Sequence, residues 1–255
     1  MSPVDLEQAA RAAAHAADLA RKETLARFRR VAVEIKDDGS PVTEADRAAE
    51  RTIRASLEQA FPGFAILGEE FGGERDDEGP MWLIDPIDGT IAYSRGIPLF
   101  STLIALRIDG EPRVGLIDLP ALDERYLAWQ GGGCTRNGQP VRVSTRSDLA
   151  TAIVSHGDPF CFERAGIPDA FERLAARIPM LRGYTDAFGH AMVLGGGVDA
   201  MIDCDLNPWD AAATQLLVPE AGGVCHSTLQ SNGRTRLVFG SPPLVDQLLA
   251  LIDEA

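Results

Sequence analysis

The chain has 255 residues and is acidic, with 24 Lys and Arg against 38 Asp and Glu and a formal net charge of −14. This charge argues against a nucleic-acid partner, because binding to nucleic-acid phosphates requires basic patches. The hydrophobic fraction of 45% and the charged fraction of 24% are typical of a globular protein. No apolar run approaches about 18 residues, and the first residues lack the pattern of a signal peptide, so we expect no membrane partner.

The cysteines carry little information about chemistry. Cys134, Cys161, Cys204 and Cys225 show neither C-x-x-C spacing nor a paired-histidine pattern. This usage predicts reduced thiols rather than a zinc site or a disulfide framework, and it favours a cytoplasmic location.

The first half of the chain opens with helical patterns. An Ala-rich segment predicts a helix over 4–29, and an apolar run predicts a short strand over 31–35. Thr43 and Asp46 form a capping-box pattern. Apolar residues then recur at the helical period over 45–60, which predicts a second helix there.

Strand patterns dominate the middle of the chain. Over 99–129 apolar runs are separated by turn residues, and Asp109-Gly110 predicts a hairpin turn. Further short strands are expected over 150–155, 180–182 and 200–203. Periodicity alone predicts mixed α and β structure.

The second half contains one helix breaker and no linker. A helix begun at Trp209 meets Pro219, which lacks a backbone donor, so we expect a kink or an end near Val218. A soft boundary near residue 145 divides the chain into halves 1–145 and 146–255, which we expect to pack as one unit.

The most informative stretch is the apolar run over 82–84 that ends in Asp85-Pro86-Ile87-Asp88-Gly89-Thr90. Two carboxylates at the exit of a buried strand repel each other unless a cation shares them. Oxygen ligands suit Mg²⁺, and free N–H groups at Gly89 and Thr90 suit an anion. Taken alone, the stretch also fits an ordinary turn.

Two other apolar segments end in acids. Glu69 and Glu70 follow the apolar run over 64–67, and Asp210 stands at a predicted helix start. Three such clusters in one chain favour a shared acidic site over three unrelated solvated surfaces.

Four segments resemble, in order, the motifs of the inositol monophosphatase family of Mg²⁺-dependent, Li⁺-sensitive phosphomonoesterases. They cover 38–46, 68–70, 82–90, and 209–210 together with 220–223. The spacing is compatible with the family over about residues 5–250. The resemblance implies an α/β (α+β) layered αβαβα sandwich of the inositol monophosphatase/fructose-1,6-bisphosphatase type, with its site between the halves, and a homodimer.

The resemblance also implies roles for single residues. Two or three Mg²⁺ ions would be held by oxygen atoms of Glu69, Asp85, Ile87, Asp88 and Asp210. Phosphate would be bound by the N–H groups of Gly89 and Thr90. Glu70 and Thr90 would activate water, with Asp46 hydrogen-bonded behind Thr90. The alternatives are a capping-box role for Asp46, a solvated surface acid at Glu70 and a simple helix cap at Asp210.

Substrate choice depends on the second half of the chain. The segment 181–190 resembles the histidinol-phosphate phosphatases of the same superfamily, and Asp203 stands where inositol phosphatases generally have a glutamate. Asp186 and Asp203, with His190, are therefore expected to contact the cationic groups of L-histidinol phosphate. As alternatives, Asp186 caps a helix, and His190 is a packed or surface histidine.

Other activities remain open from the sequence. A small phosphorylated metabolite is the expected partner, and the other candidates are inositol 1-phosphate, 3′-phosphoadenosine 5′-phosphate and fructose 1,6-bisphosphate. No basic cluster that would hold a second phosphate is visible in the specificity segments. A non-catalytic binding protein on the same scaffold is the alternative from a different class.

Overall fold

The computed structural model describes residues 4–37, 39–73 and 79–253. Asp38, the first residue of one predicted motif, lies outside the described residues, as do the first three residues of the chain. In the described ranges, the four cysteines are free thiols. No helix there is long and apolar enough to cross a membrane.

The described residues form eight α-helices and fourteen β-strands. The helices are α1 Leu6–Arg27, α2 Glu44–Ala60, α3 Thr90–Ser94, α4 Cys161–Arg164, α5 Ala170–Arg177, α6 Asp186–Leu194, α7 Pro208–Glu220 and α8 Pro242–Asp253. The strands are β1 Val33–Ile35, β2 Pro41–Thr43, β3 Ala65–Gly68, β4 Met81–Asp88, β5 Ser101–Ile108, β6 Glu111–Leu119, β7 Glu124–Trp129, β8 Thr135–Arg136, β9 Gln139–Pro140, β10 Ile153–His156, β11 Met180–Arg182, β12 Ala200–Leu206, β13 Val224–Leu229 and β14 Thr235–Gly240.

Two main sheets alternate with three layers of helices. The strand order is β3-β4-β5-β6-β7-β8-β9 in the larger sheet and β11-β10-β12-β14-β13 in the smaller one. Helices α1 and α2 cover the outer face of the larger sheet, while α6 and α7 lie between the sheets. Helices α4, α5 and α8 cover the far side of the smaller sheet. The predicted layered αβαβα sandwich is confirmed.

Strand β4 shows why this sequence folds into layers. Successive side chains of a strand point to opposite faces of the sheet. Met81 and Leu83 belong to the core between the sheets, whereas Trp82 and Ile84 belong to the core beneath α1 and α2. Because helices cover both faces, the strand needs apolar residues at every position rather than at every second one.

The predicted elements of the first half are present, with shifted ends. Helix α1 is two residues shorter at each end than predicted, and Arg29 just beyond it has a left-handed φ of 64°. Strand β1 starts at Val33 rather than at residue 31. The capping box of Thr43 and Asp46 and the hairpin turn at Asp109-Gly110 are confirmed.

In the second half, two predicted boundaries were wrong. Strand β10 begins at Ile153 rather than at residue 150, because Asp148 accepts the N–H of Ala150 and forms a turn. Helix α7 continues to Glu220, two residues beyond the expected end near Val218, and the alternative of a kink there stays a prediction. Pro219 lies in the last turn of α7, where it removes one intrahelical donor and little helix follows that a kink could redirect.

The predicted boundary near residue 145 falls between the two sheets, since β9 ends at Pro140 and β10 begins at Ile153. Helix α7 packs against strands of both sheets. The two halves share this helix, and their description as separate units stays a prediction.

Candidate active site

The site is built around the end of β4. Asp85 and Asp88 are three positions apart, so a regular strand would direct their side chains to opposite faces. The pairing of β4 with β5 shifts register between Asp85 and Asp88, which breaks this alternation. Gly89 follows with a left-handed φ of 83°, and α3 begins at Thr90. The chain thus turns directly after the two acids.

Two further acids approach this point from other elements. Strand β3 pairs in parallel with β4, and the N–H of Glu69 donates to the carbonyl of Ile84 over 3.1 Å. Asp210 occupies the first turn of α7, where its Oδ2 accepts the Asn207 N–H at 2.8 Å. Asp210 is therefore a helix-capping residue as well as a member of the acidic cluster.

The acids of the cluster perturb one another. Burial raises the pKa of Asp85 well above its usual range, and the charges of Glu69, Asp88 and Asp210 raise it further. Burial, and then the charges of Asp186 and Asp210, do the same to the pKa of Asp88. Burial is also the main cause of the rise in the pKa of Asp210 to about 7. These carboxyl groups therefore lie buried and close together, and the repulsion between their negative charges raises their pKa values.

These carboxyl groups are also held by hydrogen bonds. Asp85 Oδ1 accepts the Ile87 N–H at 3.0 Å. Asp88 Oδ2 accepts the Ser101 hydroxyl at 2.8 Å and the Ala187 N–H at 2.7 Å. These donors leave oxygen atoms of each carboxyl group available for another ligand.

A lysine that the sequence analysis missed faces two of the acids. Lys36 Nζ lies 3.0 Å from Glu69 Oε1 and 2.6 Å from Glu70 Oε1. Burial lowers the pKa of Lys36, but its bonds to the two glutamates outweigh this effect and the pKa is raised overall. Burial raises the pKa of Glu70 to about 7, against the lowering effect of Lys36. Glu70 is therefore a buried acid rather than a solvated one.

Asp46 makes both sets of hydrogen bonds that the sequence suggested. Its Oδ2 accepts the Thr43 N–H at 2.8 Å and the Thr43 hydroxyl at 2.6 Å, which completes the capping box. Its Oδ1 lies 3.2 Å from Thr90 Oγ1, and the Ile87 carbonyl lies 2.9 Å from the same hydroxyl. Burial raises the pKa of Asp46. The structure thus brings Asp46, Thr90 and Ile87 together.

The donor set suits a hard cation. Carboxylate and carbonyl oxygens are the ligands that Mg²⁺ prefers, and a divalent ion would relieve the repulsion that raises these pKa values. In the described ranges, no group of three or more Asp, Glu, His or Cys side chains is arranged so that it could hold a metal ion as it stands. The fit therefore rests on the chemistry of the donors, and the ligand roles of the five predicted residues stay predictions.

A cavity of about 170 Å³ adjoins the acids on the side of the smaller sheet. Its Asp, Arg and His lining residues are Asp88, Asp158, Arg164, Asp186, His190, Asp203, Asp205 and Asp210. Six of these are aspartates. Arg164 is an arginine that the sequence analysis missed, and it pairs with Asp158 at 2.9 Å and with Asp205 at 2.6 Å.

The three predicted substrate residues all line this cavity. Asp186 is the first residue of α6, after the cap residue Thr185, and has a left-handed φ of 58°. Burial raises the pKa of Asp186, and the charge of Asp203 adds to the rise. Both ring nitrogens of His190 have protein partners, and its predicted contact with substrate stays a prediction.

Several pocket residues gave no signal in the sequence. Asp158 and Arg164 belong to a segment without a recognisable motif, and Asp205 follows the predicted end of a strand. Lys36 could have been noted as one of only two lysines in the chain, next to the motif over 38–46. Their proximity to the acids depends on how the sheets are stacked.

A layered sandwich with buried acids where β3, β4 and α7 meet is the architecture of a class of phosphatases. The chain belongs to the inositol monophosphatase family, whose model matches residues 3–248. It is accordingly a phosphomonoesterase that acts on small phosphorylated substrates, in a family that is generally metal-dependent.

Characterised relatives carry more than one activity. A histidinol-phosphatase of Chlorobaculum parvum is 36% identical over 88% of this chain and 86% of its own. One of Mycobacterium tuberculosis is 38% identical over 81% of this chain and 82% of its own. A fructose-1,6-bisphosphatase/inositol-1-monophosphatase of Thermotoga maritima is 35% identical over 84% and 82%.

The fold is also similar to that of solved structures. The extragenic suppressor protein SuhB of Bartonella henselae superposes with a TM-score of 0.87 at 28% identity, covering 96% of this chain and 98% of that one. The likeness therefore extends over nearly the whole molecule.

Proposed function

We propose that this protein is a Mg²⁺-dependent phosphomonoesterase whose substrate carries a cationic organic group, with L-histidinol phosphate as the first candidate. The observation that carries this proposal is the acidic cavity beside the predicted metal ligands. Names of histidinol-phosphatases among the relatives support the choice of substrate.

The charge of the cavity favours a cation. Six aspartates line it, while its one arginine, Arg164, is already paired with Asp158 and Asp205. A ligand with an ammonium or imidazolium group would gain charge-assisted hydrogen bonds there. A second phosphate group would find little free positive charge in the described lining, which disfavours the bisphosphate substrates.

Mg²⁺ would be held by Glu69, Asp85, Asp88, Asp210 and the Ile87 carbonyl. When bound, it would supply Lewis acidity toward the phosphoryl oxygens and lower the pKa of water. Two or three ions are expected from the family resemblance.

Side chains and backbone groups of the protein would accept the proton and bind the phosphate. Glu70, whose pKa lies at about 7, suits the role of a general base that accepts a proton from the attacking water. The Thr90 hydroxyl would orient that water, since Asp46 and the Ile87 carbonyl hold it in place. The N–H groups of Gly89 and Thr90 begin α3 and would donate to phosphate oxygens.

Asp186 and Asp203 would bind the organic part of the substrate. Both line the cavity, and the charge of Asp203 contributes to the raised pKa of Asp186. A cation between them would relieve this repulsion. Their role is thus to select the substrate rather than to take part in bond cleavage.

The test compares phosphate release with Mg²⁺ from L-histidinol phosphate and from myo-inositol 1-phosphate. We expect a strong preference for the histidinol ester. Preference for the inositol ester would agree with a phosphatase but would contradict the proposal of a cationic substrate. Asp186→Asn should raise KM for L-histidinol phosphate by about tenfold or more, because one charge-assisted bond is lost. An equal effect on glycerol 2-phosphate would contradict the proposed cation pocket.

The alternative from the sequence, a binding protein without catalytic activity, does not agree with the family and its relatives. Glu69, Glu70, Asp85, Asp88, Thr90 and Asp210 are all present, which favours an enzyme. A homodimer, sensitivity to lithium, a place in histidine biosynthesis and a cytoplasmic location stay predictions.

A further inference from the structure

His190 links two elements of the inner layer to the cavity wall. It lies on α6 and is almost completely buried, with its ring packed against Phe239 at a centroid distance of 4.8 Å. Its Nδ1 lies 2.7 Å from the Thr214 hydroxyl of α7, and its Nε2 lies 3.1 Å from Asp203 Oδ2 of β12. The ring therefore bridges the hydroxyl and the carboxylate.

Hydrogen-bond chemistry indicates which atom donates in each of these two bonds. An ionised carboxylate only accepts, so Nε2 carries the proton that is donated to Asp203. In the neutral ring Nδ1 is then an acceptor, and the Thr214 hydroxyl donates to it. Asp203 thus determines which nitrogen of His190 carries the proton, and the Thr214 hydroxyl donates to the other nitrogen and holds the ring in place.

The other oxygen of Asp203 faces the cavity. In the described part of the chain, no hydrogen bond reaches Asp203 Oδ1, although the residue is only 4% exposed. A Cβ added at Gly157 would lie 2.2 Å from this oxygen. Gly157 and Asp203 both line the cavity. Because Gly157 has no side chain, Oδ1 can occupy the space that a Cβ would fill.

We propose that His190 is a positioning residue, which together with Thr214 and Gly157 orients Asp203 so that Oδ1 receives the cationic group of the substrate. This inference rests on the proposed function for the identity of that group. The orientation itself rests on the geometry alone. His190 then acts on substrate through Asp203, and its buried position needs no direct contact.

A purely structural role makes a different prediction. If the three residues only satisfy one another in the core, removing a bond lowers the free energy of unfolding and affects all substrates equally. If they orient Asp203, removing the bond affects substrates with a cationic group and leaves other phosphomonoesters unchanged. The split in KM between two esters therefore separates the two roles.

Thr214→Val and Thr214→Ser form a matched pair for this test. Valine keeps the shape and loses the donor, whereas serine keeps the hydroxyl. With the full-length protein and Mg²⁺, Thr214→Val should raise KM for L-histidinol phosphate about tenfold, the effect of roughly one lost hydrogen bond. The KM for glycerol 2-phosphate should change less than about twofold, and Thr214→Ser should restore the wild-type ratio.

Gly157→Ala tests the same geometry from the other side. Its Cβ would displace Oδ1, so we expect the same selective rise in KM. Equal changes for both esters in Thr214→Val and Gly157→Ala, or no change in either, would overturn the proposal.

A second measurement tests the positioning of Asp203 independently of the proposed substrate. If the wild-type enzyme does not prefer L-histidinol phosphate, crystal structures of both Thr214 variants show whether the orientation of Asp203 depends on the Thr214 hydroxyl. A rotated Asp203 carboxylate in Thr214→Val but not in Thr214→Ser would support positioning. An unmoved carboxylate would overturn it.

Discussion

The Asp88 carboxylate accepts the backbone N–H of Ala187 at 2.7 Å, a bond between residues 99 positions apart. Asp88 ends β4 of the larger sheet, and Ala187 lies in the first turn of α6 in the layer between the sheets. The N-terminal end of a helix favours a negative charge. This bond therefore attaches the predicted metal site directly to the helix that carries Asp186 and His190.

Replacing Asp88 with asparagine should abolish most of the Mg²⁺-dependent activity. The asparagine side chain would retain an oxygen acceptor for Ser101 and Ala187, so the fold should persist, but one buried charge for the cation is lost. We expect kcat/KM for any phosphomonoester to fall by about 10² or more, in line with the loss of a group that acts in the transition state.

The exposed residue Asp246 on α8 offers a control. Asp246→Asn makes the same chemical change far from the cavity and should leave activity unchanged. Substantial activity in Asp88→Asn at saturating Mg²⁺ would show that this acid is not required for metal binding.

The stability of the protein should depend on pH and Mg²⁺ together. The pKa values of Glu70 and Asp210 rise to about 7 on folding, so the folded protein binds more protons than the unfolded chain between about pH 4 and pH 7. Without a divalent cation, their contribution therefore becomes less favourable as pH rises through this window. At pH 8 both groups are ionised, so Asp210 can bind a cation as a predicted ligand and Glu70 adds negative charge beside the predicted ligand Glu69.

We therefore expect Mg²⁺ to raise Tm more at pH 8 than at pH 5. Each kcal/mol of binding should add about 2–4 °C for a chain of this size. Differential scanning calorimetry at both pH values, with and without Mg²⁺, measures the difference. An equal gain at the two pH values would contradict binding of the cation to these acids.

Replacing Lys36 should change the pH profile of the reaction. Lys36 lowers the pKa of Glu70, so Lys36→Gln should raise that pKa further. A base with a higher pKa is protonated at higher pH, and each unit of rise reduces its active fraction about tenfold well below the pKa. Activity should therefore fall more at pH 6 than at pH 9. The other lysine, Lys22, is exposed on α1, and Lys22→Gln should leave the profile unchanged.

The position of the Glu69-Glu70 segment should depend on Glu50. The fully buried Glu50 accepts the Glu70 N–H at 2.7 Å, the Phe71 N–H at 3.3 Å and the Arg54 guanidinium at 2.8 Å. Glu50→Gln weakens these bonds, and we expect the free energy of unfolding to fall by about 2 kcal/mol. Activity should fall as well, because this segment carries the predicted base.

Urea denaturation and kcat/KM should be measured together for Glu50→Gln. Glu58→Gln lies on the exposed side of the same helix and supplies the control. If both variants unfold at the same urea concentration, the buried glutamate does not anchor this segment.

Local patterns were sufficient to predict much of the fold. The capping box at Thr43 and the helical period that follows depend on neighbours within a few residues, so they appear in the structure where expected. The strand ends were less predictable. Before β10, the Asp148 side chain accepts the Ala150 N–H, and this turn delays the start of the strand.

The acids of the site could be named from motifs, but their surroundings could not. Lys36, Arg164 and Gly157 approach the acids only because distant elements meet there, and no pattern along the chain records such proximity. His190 was expected to touch substrate, whereas the structure supplies partners for both of its ring nitrogens.

The sequence by itself determined which residue types are available: carboxylates at the ends of apolar segments, and a turn that follows two of them. Short-range spacing and the need to bury apolar faces are properties of the chain alone. Only the tertiary structure decided which charges oppose each other, since burial and the stacking of two sheets bring Asp88, Asp186 and Asp210 to one cavity. Like charges so confined repel one another until a proton or a cation neutralises them, and that repulsion exists only in the folded protein.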